Sequence, residues 1–106
     1  MREPKLRLDW SPEAAADLLP IWRWGAAHFS PETADAHLRD IHRAASNLTE
    51  FPEVGVARDQ LVAGIRSIVV YPTVIFYRIG DAAIEIVRVI DGRRNLAAFF
   101  PSDHSD

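Results

Sequence analysis

The order of patterns along this chain predicts an α+β fold, with an N-terminal strand and a helical hairpin packed on one face of a small antiparallel sheet. Three observations carry that expectation. An alternation of apolar and polar residues runs from Lys5 to Trp10; two stretches with helical spacing follow, each opened by Ser-Pro-Glu, at Ser11 and Ser30; and short apolar runs separated by Pro72 and by Gly80-Asp81 close the chain. Helices grouped together and strands that then follow one another directly give segregated layers rather than alternating βαβ units.

In the first segment Leu6, Leu8 and Trp10 alternate with Lys5, Arg7 and Asp9, the period of a strand with one buried face. Ser11 then supplies an N-cap hydroxyl and Pro12 a pre-set φ at the first helical position. Ala15, Leu18 or Leu19, Trp22, Ala26 and Phe29 recur at helical spacing and give one apolar stripe. Pro20 interrupts it. Lacking a backbone donor and crowding the preceding turn, it predicts a kink or break near residues 16–20. Ser30-Pro31-Glu32 repeats the start signal, and Ala34, Leu38, Ile41, Ala45 and Leu48 carry the second helix until Pro52 stops it. Two helices joined this tightly form an αα-hairpin. From Pro52 to about Ala63 a polar loop punctuated by Gly55 is expected, pinned to the body by Val54, Val56 and Leu61.

Gly64 opens the last region, and the turns at Pro72 and Gly80-Asp81 predict a sequential three-strand antiparallel meander. Alternation sets Ile65, Val69 and Tyr71 against Arg66, Ile68 and Val70; Ile75, Tyr77 and Ile79 against Val74, Phe76 and Arg78; and Glu85, Val87 and Val89 against Ile84, Ile86 and Arg88. Neither face of the middle strand is polar. The turn at residues 80–83 decides whether Arg78 lies beside Glu85 or beside Arg88, because a slip of one residue exchanges the faces. Two helices can cover only one side of such a sheet, so the other side is expected to stay partly open and to invite a second polypeptide.

Composition narrows the function. With 106 residues and 48% hydrophobic content, the chain suits one compact domain that buries roughly 65% of its unfolded surface. A formal net charge of -3 and a pI near 5.7 supply no general positive field for nucleic acid or an anionic membrane. The absence of cysteine removes disulfides and thiolate chemistry. Met1 to Lys5 leads into no apolar leader core, and no segment approaches the roughly 18 continuous apolar residues of a membrane span, so a soluble cytoplasmic protein is expected. His28, His37, His42 and His104 read as surface histidines rather than metal ligands, since His37 and His42 do not share a helical face. No phosphate loop, serine elbow or carboxylate pair is present, and no cofactor is expected.

Taken together, Trp10-Ser11-Pro12-Glu13-Ala14, Ile21-Trp22, Ser30-Pro31-Glu32, Glu50-Phe51-Pro52, Gly64-Ile65-Arg66-Ser67, Val74-Ile75-Phe76-Tyr77-Arg78 and Ile86-Val87-Arg88-Val89 with Arg93-Arg94 resemble the ParE branch of the ParE/RelE toxin superfamily, over residues 6–99. The resemblance implies a toxin of a type II toxin–antitoxin pair, held inactive by a ribbon-helix-helix, ParD-like antitoxin whose extended tail wraps it. ParE-like toxins poison DNA gyrase, whereas RelE-like relatives cut messenger RNA on the ribosome. The nuclease route needs a base for the ribose hydroxyl, a cation for the phosphate and an acid for the leaving oxygen. Here Asp91 stands where many relatives carry histidine, and the tail Leu96-Ala97-Ala98-Phe99-Phe100 offers phenylalanine where a hydroxyl would serve. A non-enzymatic toxin that acts by binding is therefore expected, with the RelE-type endoribonuclease and a non-toxic antitoxin-binding relative as alternatives. Pro20 and Trp22-Arg23-Trp24 are less usual for the family.

On that reading the antitoxin would contact Trp22, Trp24, Arg66, Ile68, Val70, Phe76, Arg78 and Arg88, and the target would contact Arg93 and Arg94. The plainer alternatives are that the strand arginines pair with local acids such as Glu85 or Asp91, that Arg93 and Arg94 are solvated, and that Tyr71 and Tyr77 pack with hydrogen-bonded tips. Trp22 and Trp24, two positions apart on a helix, cannot both face the core. The isolated chain is expected to be poorly soluble or self-associating.

Overall fold

Local capping chemistry starts both helices where the sequence places them. The computed structural model describes residues 6–100; the expectations for residues 1–5 and for His104 lie outside them. Ser11 Oγ accepts the Ala14 N–H at 2.9 Å and donates to the Val87 carbonyl at 2.8 Å, and helix α1 runs over Pro12–His28. Ser30 Oγ accepts the Thr33 N–H at 3.0 Å and opens α2, Pro31–Asn47. Of the predicted kink or break at Pro20, the break does not occur, and α1 remains one element. Pro20 and Ala16 are both exposed, so the carbonyl that loses its partner can be solvated and the ring meets no neighbouring layer. The apolar stripe of α1 also sits one residue away from Ala15 and Leu19: the residues that reach the core are Ala14, Leu18 and Ile21. In α2 the predicted Ala34, Ile41, Ala45 and Leu48 are all buried. The helices approach closely at Gly25, where a Cβ would stand 3.3 Å from that of Ala34.

The sheet has the order β1-β5-β4-β3-β2, built from β1 (Arg7–Trp10), β2 (Val56–Ala57), β3 (Ile65–Val70), β4 (Thr73–Ile79) and β5 (Ala83–Asp91). The meander β3-β4-β5 is antiparallel as expected. The sheet as a whole is mixed, because β1 pairs in parallel with β5, Leu8 opposite Ile84 and Trp10 opposite Ile86. A chain that leaves β1 through two helices returns in either direction, and its own alternation does not encode which. The short β2 was not foreseen; it lies in the stretch expected to be loop.

Register is settled with Arg78 opposite Glu85, not Arg88. A bulge then places Arg88 opposite Phe76 and Ile86 opposite Tyr77, leaving Val87 as the extra residue. Beyond it the faces exchange, so Val89 joins Ile84 and Ile86 on the helix side instead of Glu85 and Val87, as strict alternation had it.

The helix-side core gathers Ala14, Ile41, Ala45, Leu48, Ile75, Tyr77, Ile84, Ile86 and Val89, with Ile68 and Val70 packed against it. The opposite face is only partly open: its centre is covered. Ile65, Val74, Phe76, Ile90 and Phe100 form a second cluster, roofed by Leu61 and Val62 from the loop before β3 and by Leu96 and Phe99 from a 3-10 turn, Leu96–Phe99. What stays open on this face is its β2–β3 side, where Val56 and Val69 are 66% and 68% exposed.

The 52–56 part of the loop between α2 and β3 is held by polar groups rather than by Val54 and Val56. Tyr77 Oη donates to the Pro52 carbonyl at 2.7 Å and accepts from the Gly55 N–H at 2.9 Å, and Arg66 Nη1 donates to the Gly55 carbonyl at 2.7 Å. A Cβ on Gly55 would fall 2.5 Å from Tyr77 Oη, which is why glycine stands there. Val54 and Val56 are exposed, whereas Leu61 does pack inward.

Candidate partner-binding surface

The residues singled out in the sequence divide among three places. Arg66, Ile68 and Val70 lie on the helix side of β3, Arg66 across from Tyr77 and committed to loop carbonyls, Ile68 and Val70 packed against the main core. They form no open patch. Phe76 and Arg78 lie on the opposite face, where Phe76 is fully buried and Arg78 is exposed in an ion pair with Glu85 at 3.1 Å. Trp22 and Trp24 sit near the end of α1. Trp22 is half-buried and donates from Nε1 to Asp35 Oδ1 at 2.7 Å, tying the helices together; Trp24 is the exposed member of the pair.

Arg88 pairs with neither Glu85 nor Asp91. Its partner is Asp17 of α1, bound in fork geometry at 2.9 Å (Nε to Oδ2) and 2.8 Å (Nη2 to Oδ1). The same carboxylate accepts the Val89 N–H at 2.8 Å. Because β1 ends at Trp10, the second half of β5 has a free edge; Ser11 Oγ takes up the Val87 carbonyl and Asp17 the Val89 N–H, so α1 supplies side chains where a neighbouring strand would supply backbone. These charge-assisted bonds raise the Arg88 pKa further above its ordinary value, against the lowering effect of burial. Asp17 was missed in the sequence, where a helical acid this far from β5 carries no local signal.

At the end of β5, Arg93 chelates Asp91 through Nε at 2.9 Å and a second nitrogen, and its guanidinium lies over the Trp24 ring at 4.9 Å from the centroid. The hydrogen bond from Arg93 holds the Asp91 carboxyl below its usual range. Trp24 also stacks on His28 at 4.2 Å. Arg94 covers one side of Phe99 at 4.7 Å, while Arg88 lies 5.0 Å from the same ring. The two residues assigned to a target are thus joined by aromatic contacts to α1 and to the terminal turn.

Among the depressions that border these groups are one beside Trp24 and one beside Arg88. One, about 310 Å³, is an apolar cleft at the hairpin end, walled by Ile21, Trp24, Phe29 and Tyr71. His37 faces it and meets Thr73 Oγ1 at 3.3 Å; burial pushes its pKa down. The other, about 900 Å³, is a groove on the second sheet face between the 59–63 segment and the terminal turn, with Arg78, Glu85, Val87 and Arg88 along its floor and Phe99 and Phe100 in its wall. On that floor Arg78 pairs with Glu85, and Arg88 is held by Asp17 of α1, so paired charges lie beside the apolar Val87, Phe99 and Phe100, an arrangement that suits a docked amphipathic segment.

Two helices layered on a five-stranded mixed sheet recur in a chain of the solved structure "Chromosomal ParDE TA system from P. aeruginosa", at a TM-score of 0.72 and 27% identity over 82% of this chain and 96% of that one. The fold is therefore that of a small α+β toxin from a type II toxin–antitoxin system. The family model "ParE toxin of type II toxin-antitoxin system, parDE" matches residues 8–96. Toxin ParE3 of Caulobacter vibrioides is 33% identical over 84 residues, 79% of this chain and 84% of that protein. Toxin ParE1 of Mycobacterium tuberculosis is 32% identical over 92 residues, 81% of this chain and 89% of that protein. The chain belongs to the ParE toxin family.

Proposed function

We propose that this chain is a single-domain toxin that inhibits DNA gyrase by binding and is neutralised by a ParD-like antitoxin laid over its second sheet face. The observation that carries the reading is the pairing of ParE family membership with strand and terminal arginines that are held in ion pairs within the chain. Arg78, Arg88 and Arg93 each hold a carboxylate of this chain, and the Tyr77 hydroxyl is committed to the 52–55 loop. Groups locked in this way favour occupation of a target over proton transfer. Among the proposed contacts, Trp24, Arg78 and Arg88, with Val56 and Val69, offer the accessible antitoxin surface, and Arg93 and Arg94 the target surface. Gyrase as target places the protein in the cytoplasm, consistent with the fact that no helix among the described residues is long and apolar enough to cross a membrane.

Induced expression alone should arrest growth, and co-expression of the ribbon-helix-helix protein encoded beside it should restore growth. Purified gyrase should accumulate cleaved DNA when the chain is added. Supercoiling that proceeds with no trapped cleavage removes gyrase as the target, and new cleavage ends on translated messenger would move the assignment to the RelE type.

A further inference from the structure

The cover over the second sheet face is attached in an unusual way. From Asn95 to Phe100 the backbone bonds are local, Ala98 N–H to Asn95 O at 3.1 Å and Phe100 N–H to Ala97 O at 3.2 Å; among the described residues no backbone hydrogen bond joins this stretch to the sheet. It is held by side chains: Phe100 meets Phe76 edge-on at 4.8 Å and Phe99 lies against the guanidinium groups of Arg88 and Arg94. Segments held by few contacts and no ladder bonds open at low free energy. Beneath lie Val74, Phe76 and Ile90, all buried, and beside it the 900 Å³ groove shares Ala97, Phe99 and Phe100 as its wall. The seat of the tail thus adjoins the groove, with Phe99 and Phe100 as the wall between them.

We infer that the Asn95–Phe100 segment is an exchangeable cover, and that the seat of Phe99 and Phe100 is a docking site for an amphipathic partner segment with large apolar anchors, which fills the groove and takes the tail's place. The chain's own occupant defines what the seat accepts: one aromatic side chain on Phe76 and a second beside Arg88 and Arg94. A longer segment would keep those contacts and add the groove floor, where the Arg78–Glu85 and Arg88–Asp17 pairs meet its polar side. Displacement would also release Arg94 from Phe99. Taking the antitoxin as the user of this site rests on the function proposed above; the exchange itself does not.

The test uses the full chain with Ala98→Cys, an exposed position and the sole cysteine, carrying a spin label. The probe is a capped synthetic peptide of the chain's own residues 95–100. Titration should convert the label from an immobile to a mobile spectrum with saturation. A label that stays immobile up to about 1 mM peptide, the order of effective concentration of a short tether, overturns the inference. In Phe99→Ala/Phe100→Ala the intramolecular competitor is lost, so the peptide should bind at least about tenfold more tightly than to the parent; equal or weaker binding overturns it. Should that variant fail to fold, Phe99→Ala alone serves with the same expected sign. In a complex with the co-expressed antitoxin the label should be mobile, and an immobile label in a complex that does form rejects the exchange while leaving the toxin assignment intact. Failure of the growth test with successful peptide exchange rejects the antitoxin instead.

Discussion

At the scale of single residues, the strongest structural commitment is one carboxylate. Asp17 accepts from two of the three nitrogens of a half-buried guanidinium and from one backbone N–H of the β5 edge. Asp17→Ala should leave all three donors short of a partner, at a cost of about 2–4 kcal/mol; urea unfolding checks this, and a midpoint shift within error would mean that water replaces the carboxylate. His37 gives a pH-dependent counterpart. Burial lowers its pKa from 6.5, with Asp40 acting weakly in the other direction. The unfolded chain therefore takes up the proton first, so the neutral imidazole contributes stability that is complete above pH 6.5 and is lost as the pH falls through its lower folded value. His37→Gln should flatten the decline in melting temperature between about pH 7 and 5 relative to the parent. An unchanged slope would place the titrating group elsewhere.

At the scale of elements, the helix starts were legible because a cap is a contact between near neighbours: Ser11 with Ala14, Ser30 with Thr33. The same local logic over-read Pro20. Its cost is real, but it falls on an exposed turn, and the contacts of Leu18 and Ile21 with the core carry the helix through it. Pro20→Ala should restore the missing backbone bond and raise stability by about 1–3 kcal/mol, read from thermal unfolding. A loss of stability would show that the ring has a packing role on this exposed surface. In the strands, Arg78 opposite Glu85 was among the sequence's two options, whereas the bulge that turns Val89 inward was not, since one extra residue leaves no mark on composition.

At the scale of the molecule, the sheet's second face is part self-covered and part bare. Its centre is roofed, but Val56 and Val69 stay exposed on the short β2 and beside it, where β2 pairs with only Ser67 and Arg66 of β3. Such an edge favours association. The isolated chain should self-associate in sedimentation experiments, and Val56→Lys with Val69→Lys should reduce that association while changing stability by less than about 0.5 kcal/mol per site. Association that persists unchanged would point to the hairpin-end cleft, where Phe29 and Tyr71 are 68% and 81% exposed.

Legible in the residues alone were the order of the longer elements, without β2, the caps of both helices, the face of α2, the antiparallel meander and the family resemblance. All of these rest on residues a few positions apart or on a pattern repeated along one segment. The structure alone decided that β1 runs parallel to β5, that Asp17 closes the β5 edge, and that Phe99 and Phe100 fold back over Phe76. Those outcomes depend on which distant surfaces fit together once the loops close. Such contacts pair residues from separate segments, across most of the chain for β1 with β5 and Asp17 with Arg88, and neither partner's local sequence specifies the other.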